Sequence, residues 1–499
     1  MTPSLGPLFL ALAGPSALAA LLAGRAWPLP APSSHGASRW ARRRERRRLG
    51  RAASARHPHP DGLVLGWLGR RLLQTPREDN LLLLGVQRSG KTSTVMVPTL
   101  LAWRGAAVAT STKEELVRLT GPHRSRLGPA HVFAPLDQDP AWVERLGLTA
   151  AAWNPVREAG TAAAAAEIAD LFTASGKAGP SAFWYLAAAT LLTGLLLREN
   201  ALGGDLRSLL RVLNRTPHHE YVGLASELGE GTAGELLSAY ANSPEKEAGS
   251  VASTLRSCLS LWIDDRVAGA TSAAPAHLDV EDLLDSGGTL YLVAPAEEAE
   301  RCRPLFSALL QTLLRRATAR ARRQGGTLSP RLLLALDEAA NFARIPRLAS
   351  YVSTGPGQGI QSLLCFHDLA QVEQGYGREG ARTIWNNCRA RLLLPGQGDL
   401  ETLDRFTRTI GEETRSYRTT SSGGGRATAT EQRIGRPLVP AGDLRRLEDA
   451  LLLYAGAPPA RLVLRRWDQV PAWRSLVQAP SSPSAAGLRP AREASHDQP

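Results

Sequence analysis

The sequence predicts an α/β fold: a mainly parallel sheet around a phosphate-binding loop, interrupted by an all-α insertion and preceded by one N-terminal transmembrane helix. Three observations predict it. A loop of the form GxxxxGK[ST] lies between an apolar run and an amphipathic stretch, short apolar runs recur before and after a long Ala-, Leu- and Glu-rich segment, and the chain opens on an uncharged apolar stretch.

With 499 residues, 43% of them hydrophobic, the chain is too long for one ordinary domain and can bury a large core. Lys and Arg number 59 against 46 Asp and Glu, a formal charge of +13. That excess suits polyanionic partners such as nucleic acid, although a GC-rich genome produces the same bias. The four cysteines, Cys258, Cys302, Cys365 and Cys388, show no CxxC spacing, so neither a zinc site nor a disulfide framework is expected.

From Leu5 to Gly24 the chain is apolar and uncharged. A helix there, rising about 1.5 Å per residue, spans a hydrocarbon core of roughly 30 Å. No charge precedes it, and a basic cluster (Arg39, Arg42, Arg43, Arg44, Arg46, Arg47, Arg48 and Arg51) follows, the reverse of a cleaved signal peptide. Positive charge stays on the cytoplasmic side, so a single-pass anchor in the plasma or inner membrane with a cytoplasmic body is expected.

Residues 52–77 read as a connector, with His57 and His59 in a loop. Leu81 to Leu84 then reads as a strand, followed by a loop and a helix through Trp103. Ala106 to Ala109 and His131 to Phe133 continue a parallel sheet. Between Thr161 and Arg266 apolar residues fall at helical spacing, and strand-like runs return at Thr289 to Val293, Leu332 to Leu336, Gln361 to Phe366 and Ala390 to Leu394. The stretch Ser421 to Gly425 reads as a flexible loop, and the tail beyond Pro480 as disordered. The expected organisation is an anchor and basic segment over 1–51, a nucleotide-binding domain split into 52–160 and 276–479, an all-α insertion over 161–275, and a disordered tail over 480–499.

The loop Gly85-Val86-Gln87-Arg88-Ser89-Gly90-Lys91-Thr92 carries the chemistry. Its glycines let backbone N–H groups curl round a phosphate, and the following helix N-terminus adds a favourable dipole. Nucleotide binding is thus expected of Gly85, Arg88, Ser89, Gly90, Lys91, Thr92 and Ser93. Lys91 reaches the outer phosphates, and the Thr92 hydroxyl faces Mg²⁺. Hydrolysis also needs a metal-binding carboxylate and a group that orients water. Leu332 to Leu336 form a buried strand whose end delivers Asp337 to the metal and Glu338 to the water as general base.

These segments resemble the TraG/TraD-type coupling ATPases of conjugative type IV secretion systems, over most of the chain. The helix after the loop carries Pro98-Thr99-Leu100-Leu101-Ala102-Trp103, similar to that family's "P-T-L-L-x-W". Thr110 to Glu115 resembles a D-x-K-G-E segment, matching at Lys113 and Glu115 but not at Ser111 or Glu114. Val132-Phe133-Ala134-Pro135 and Trp153-Asn154-Pro155 resemble "V-F-D-P" and "W-N-P", and Asp337-Glu338 with Ile345-Pro346 resembles its acidic signature. Gly359-Ile360-Gln361, Leu369-Ala370-Gln371, Arg436-Pro437-Leu438 and Leu444-Arg445-Arg446-Leu447 follow in order.

The resemblance implies a RecA-like P-loop core using ATP and Mg²⁺, a homo-hexameric ring, non-specific contact with single- or double-stranded DNA, and delivery of a relaxase–DNA complex to a type IV secretion channel. Two further departures bear on catalysis. The glutamine that senses the γ-phosphate falls on His367, which can donate a hydrogen bond in its place. Gly355 to Gly359 lacks the arginine that some relatives insert into a neighbour's site, leaving Arg344, Arg347 and Arg389 as alternatives. The competing readings are an FtsK-like DNA pump and a nucleotide-binding adaptor that recruits substrates with weak hydrolysis.

Overall fold

The computed structural model describes residues 35–479 except 138, 177–178, 273–276, 343 and 424–425. The expected anchor, Leu5 to Gly24, and the expected disordered tail lie outside the described residues. Among those described, no helix is long and apolar enough to cross a membrane. The chain forms two compact units, a larger one over Trp40–Phe406 that resumes at Ala441 and a smaller one holding Thr407–Pro440 with the segment ending at Arg39.

The larger unit is built on a ten-stranded sheet. Its parallel centre comprises β4 (Leu81–Leu84), β5 (Ala106–Ser111), β6 (Ala130–Phe133), β7 (Thr149–Ala150), β8 (Thr289–Val293), β9 (Leu332–Leu336), β10 (Ile360–Phe366) and β11 (Ala390–Leu393). The antiparallel strands β14 (Ala450–Tyr454) and β15 (Ala460–Leu462) extend one edge, giving the order β15-β14-β11-β4-β10-β9-β5-β8-β6-β7. Strands β4, β5, β8, β9 and β10 are buried at every position. Helices on both faces require this, and it explains why these strands read as unbroken apolar runs.

Between β7 and β8 the chain departs into a run of helices from Ala162–Phe172 to Asp265–Ala270. Their starts follow local capping chemistry. The Thr161 hydroxyl accepts from the Ala164 amide at 3.2 Å, and the Asp205 carboxylate accepts from the Ser208 amide at 2.9 Å. Phe172 packs on Trp262 with ring centroids 4.9 Å apart.

Three expectations require correction. The segment expected as a connector folds into a three-stranded antiparallel sheet of β1 (Arg51–Ala53), β2 (Val64–Leu68) and β3 (Arg71–Gln74), ordered β1-β3-β2. Leu63, Val64, Leu65, Leu72 and Leu73 bury there, and the Val64 amide donates to Thr99 Oγ1 at 3.0 Å behind the phosphate loop. Burial against a distant helix is invisible to local pattern. His59 bonds to Arg51 and the Ala52 carbonyl within that sheet. In the smaller unit the expected flexible loop is mostly strand, since β12 (Glu412–Gly423) pairs with β13 (Arg426–Pro437) from Glu412↔Pro437 to Gly423↔Arg426. The backbone ladder of this hairpin runs through a stretch whose polar composition reads locally as a loop. The helix after the loop also begins differently, as a π-turn over Thr92–Met96 that becomes α-helical over Val97–Ala102. Single π-turns are frequent at functional sites.

His123, on the helix Glu115–Arg124, is buried and its Nε2 donates to the Leu101 carbonyl at 3.1 Å. Burial, with repulsion from Arg104, Arg126 and Arg124, pushes its imidazole down from 6.5 to about 4. Below pH 6.5 the unfolded chain takes up a proton that the folded chain refuses, so stability falls as the pH drops toward 4. This one group makes the fold about 2 kcal/mol less stable at pH 5 than at pH 7. Urea unfolding of His123→Gln is expected to show a shallower loss over that interval than the wild type. An unchanged slope would assign the acid sensitivity to other groups.

Candidate active site

Four neighbouring strands end together. The register pairs Leu84 of β4 with Phe366 of β10, Leu364 of β10 with Leu336 of β9, and Leu336 with Thr110 of β5. The residues after β4, β10 and β9, namely Gly85, His367 and Asp337, therefore emerge at one edge, the carboxyl edge where open α/β sheets bind ligands.

The loop after β4 is sterically specified. A Cβ on Gly85 would lie 2.6 Å from Ser89 Oγ and 2.9 Å from Leu394 Cβ. Gly90 has φ +93°, and Arg88 holds a left-handed φ of 64° without being glycine. Lys91 is buried, and its ammonium donates to the Gly85 carbonyl and, at 3.2 Å, to the Val86 carbonyl, with His367 Nδ1 3.4 Å away.

Asp337 and Glu338 leave β9 in a strained turn. Glu338 has φ 49°, Thr110 Oγ1 donates to the Asp337 carbonyl at 2.9 Å, and the Phe342 amide returns to the Glu338 carbonyl at 3.1 Å. Phe342 stacks on Phe306 of the long helix Ala296–Arg323, ring centroids 4.5 Å apart, which anchors the segment. Asp337 Oδ2 accepts from Thr92 Oγ1 at 3.0 Å, joining two segments remote in sequence. Burial is the largest influence on the Asp337 carboxyl and raises it, against the Thr92 hydrogen bond and the Lys91 charge.

His367 stands between these groups because β10 lies between β4 and β9. Its Nε2 is 3.8 Å from Glu338 Oε1. Its amide donates to Gln371 Oε1 at 2.9 Å, and Gln397 Nε2 donates to its carbonyl at 2.8 Å, fixing the backbone that aims the ring.

A cleft of about 400 Å³ is lined by Lys91, Thr92, Asp337, Glu338 and His367, along with Arg88, Ser89, Ser93, Ser111, Lys113, Glu115 and Arg466. The donor set fits a hard cation bound with phosphate. Thr92 and Asp337 offer adjacent oxygens, and no group of three or more His, Cys, Asp or Glu among the described residues forms a closed metal cage. Magnesium commonly takes one or two protein oxygens and completes its shell with phosphate and water. Ser89 Oγ is buried without a partner, a polar atom left facing the loop. Of the candidate trans-acting arginines, Arg389 pairs with Asp79 at 3.4 Å before β11, at the opposite strand edge, and Arg344 donates to the Gln374 carbonyl at 3.0 Å. Sequence reasoning missed Gln397 and Arg466, ordinary residues in segments that only folding returns to the loop.

A model of the family described as type IV secretory system conjugative DNA transfer matches residues 53–469. The chain belongs to that family. The matched span includes every residue lining the cleft, from Val86 to Arg466. Among relatives in conjugation, the conjugal transfer protein TraG of Escherichia coli is 27% identical over 455 residues, 81% of this chain and 70% of that protein. VirD4 of Rhizobium rhizogenes is 27% identical over 448 residues, 86% of this chain and 64% of its own length. In three dimensions the fold is similar to the plasmid coupling protein TrwB, solved with a non-hydrolysable GTP analogue, at TM-score 0.62 and 17% identity over 86% of this chain and 95% of that one. TrwB with ADP and Mg²⁺ aligns at TM-score 0.59 and 18% identity, covering 79% of this chain and 87% of that one.

Proposed function

We propose that this chain is an ATPase that couples DNA, or a DNA–protein complex, to a type IV secretion channel and drives its passage by hydrolysis. One observation carries the reading: in a conjugative DNA transfer chain, Lys91, Thr92, Asp337, Glu338 and His367 face a single cleft. TrwB, which shares the fold, was solved with nucleotides. Lys91 and the loop amides hold the phosphates, with Gly85, Arg88, Ser89, Gly90 and Ser93 shaping the cradle. Thr92 and Asp337 would hold magnesium, which would supply charge neutralisation for phosphoryl transfer. Glu338 accepts a proton from the attacking water, and the strained turn points its carboxylate into the cleft. His367, within reach of Lys91 and Glu338, reads the γ-phosphate.

The same reading assigns a homo-hexameric ring on an N-terminal membrane anchor, with partners in a relaxase–DNA complex and the channel. The net charge of +13 suits contact with phosphates without sequence preference. Single-stranded DNA is expected to raise steady-state ATP hydrolysis, and this stimulation is expected to weaken steeply with salt as counterion release loses its effect. A nucleotide-dependent adaptor, the alternative that His367 in place of glutamine favours, would show no DNA-stimulated turnover. Hydrolysis assays with and without DNA across a salt series separate the two.

A further inference from the structure

The cleft extends past its phosphate-binding residues to Val97, Leu116, Leu119 and Arg466. Val97 lies five residues beyond Thr92, more than one turn further along the helix. Arg466 arrives there from the C-terminal part of the chain, and its neighbours pin it. The Arg465 guanidinium lies over Trp67, 4.5 Å from the ring centroid, and Trp467 packs against the core. Beyond them Trp473, fully buried, sets its ring 6.0 Å from Trp67. The Arg466 amide donates to Gln469 Oε1 at 3.1 Å. Its guanidinium forms a fork with Asp468, Nε to Oδ1 at 3.1 Å and Nη2 to Oδ2 at 2.9 Å, while the side chain stays 58% exposed.

That pairing decides what the group can bind. A guanidinium already satisfied by a carboxylate through two parallel bonds is a poor phosphate ligand, but its planar face remains free to stack on an aromatic ring. Arg88, Lys91 and the loop amides supply the phosphate donors separately. We propose that Arg466, oriented by Asp468, is a nucleotide-binding residue that stacks on the base while the apolar side chains of Val97, Leu116 and Leu119 line the nucleoside end of the cleft. This rests on the nucleotide reading of the Lys91 loop.

The test is equilibrium binding of ATP, ADP and inorganic tripolyphosphate to the full-length protein, each with Mg²⁺. Arg466→Ala is expected to weaken ATP and ADP by roughly 3- to 30-fold, the scale of one desolvated cation–π contact, and to leave tripolyphosphate unchanged. Arg466→Lys keeps the charge but loses the planar stack and the fork to Asp468, and is expected to lose part of the same nucleotide affinity with tripolyphosphate again unchanged. It carries the test if the alanine variant fails to fold. Equal loss for tripolyphosphate would move Arg466 to the phosphates and overturn the proposal, as would unchanged affinity for all three ligands. A wild-type protein that binds none of them would overturn the nucleotide reading itself.

Discussion

Glu338→Gln leaves ATP binding intact and lowers turnover by about 10²- to 10⁴-fold, the usual contribution of a positioned general base. Glutamine matches glutamate in length and shape, so it is expected to keep the turn with φ 49° and the backbone bond from Phe342. What it loses is the capacity to take a proton. The neighbouring Asp337 stays with Thr92, so nucleotide affinity has no reason to fall. Phosphate release and equilibrium ATP binding, measured on the same preparation, give the split. A variant that turns over at the wild-type rate would remove Glu338 from the base position.

Lys91→Ala produces a different signature, in which binding and turnover fall together. The ammonium is the buried cation of the loop, donating to the Gly85 and Val86 carbonyls and facing His367. Phosphate oxygens would take over those donors as charge-assisted hydrogen bonds, worth about 1.5–3 kcal/mol each. Losing two of them weakens ATP by at least about 100-fold. Alanine also leaves the Gly85 carbonyl short of its lysine donor. Titration with a fluorescent ATP analogue reads the change. Affinity within threefold of wild type would mean that the phosphates lie elsewhere.

Much of the site was legible before folding. The loop Gly85 to Thr92 has a pattern dictated by phosphate geometry, and Asp337-Glu338 ends a short apolar run of the length and continuity of a buried strand. The central strands were equally plain, because a strand covered on both faces must be apolar throughout. The sheet of β1 to β3 and the long hairpin β12–β13 were not legible. Strand β2 is buried along nearly all its length, β1 only in part, and the described side chains of the hairpin are mostly exposed, so no single apolar period marks these strands, and their partners lie outside any local window.

The sequence alone determined the chemistry available: a lysine and a threonine on a phosphate loop, an acidic pair on a strand end, and a histidine after the neighbouring strand. Only the tertiary structure decided how they meet. Placing β10 between β4 and β9 sets His367 between Lys91 and Glu338. The C-terminal segment that stacks Arg465 on Trp67 returns Arg466 to the cleft. Strand order and long-range return depend on how whole elements share one core. That free energy belongs to the packed chain and to no segment of it, so residues far apart carry no mark of their meeting until the core forms.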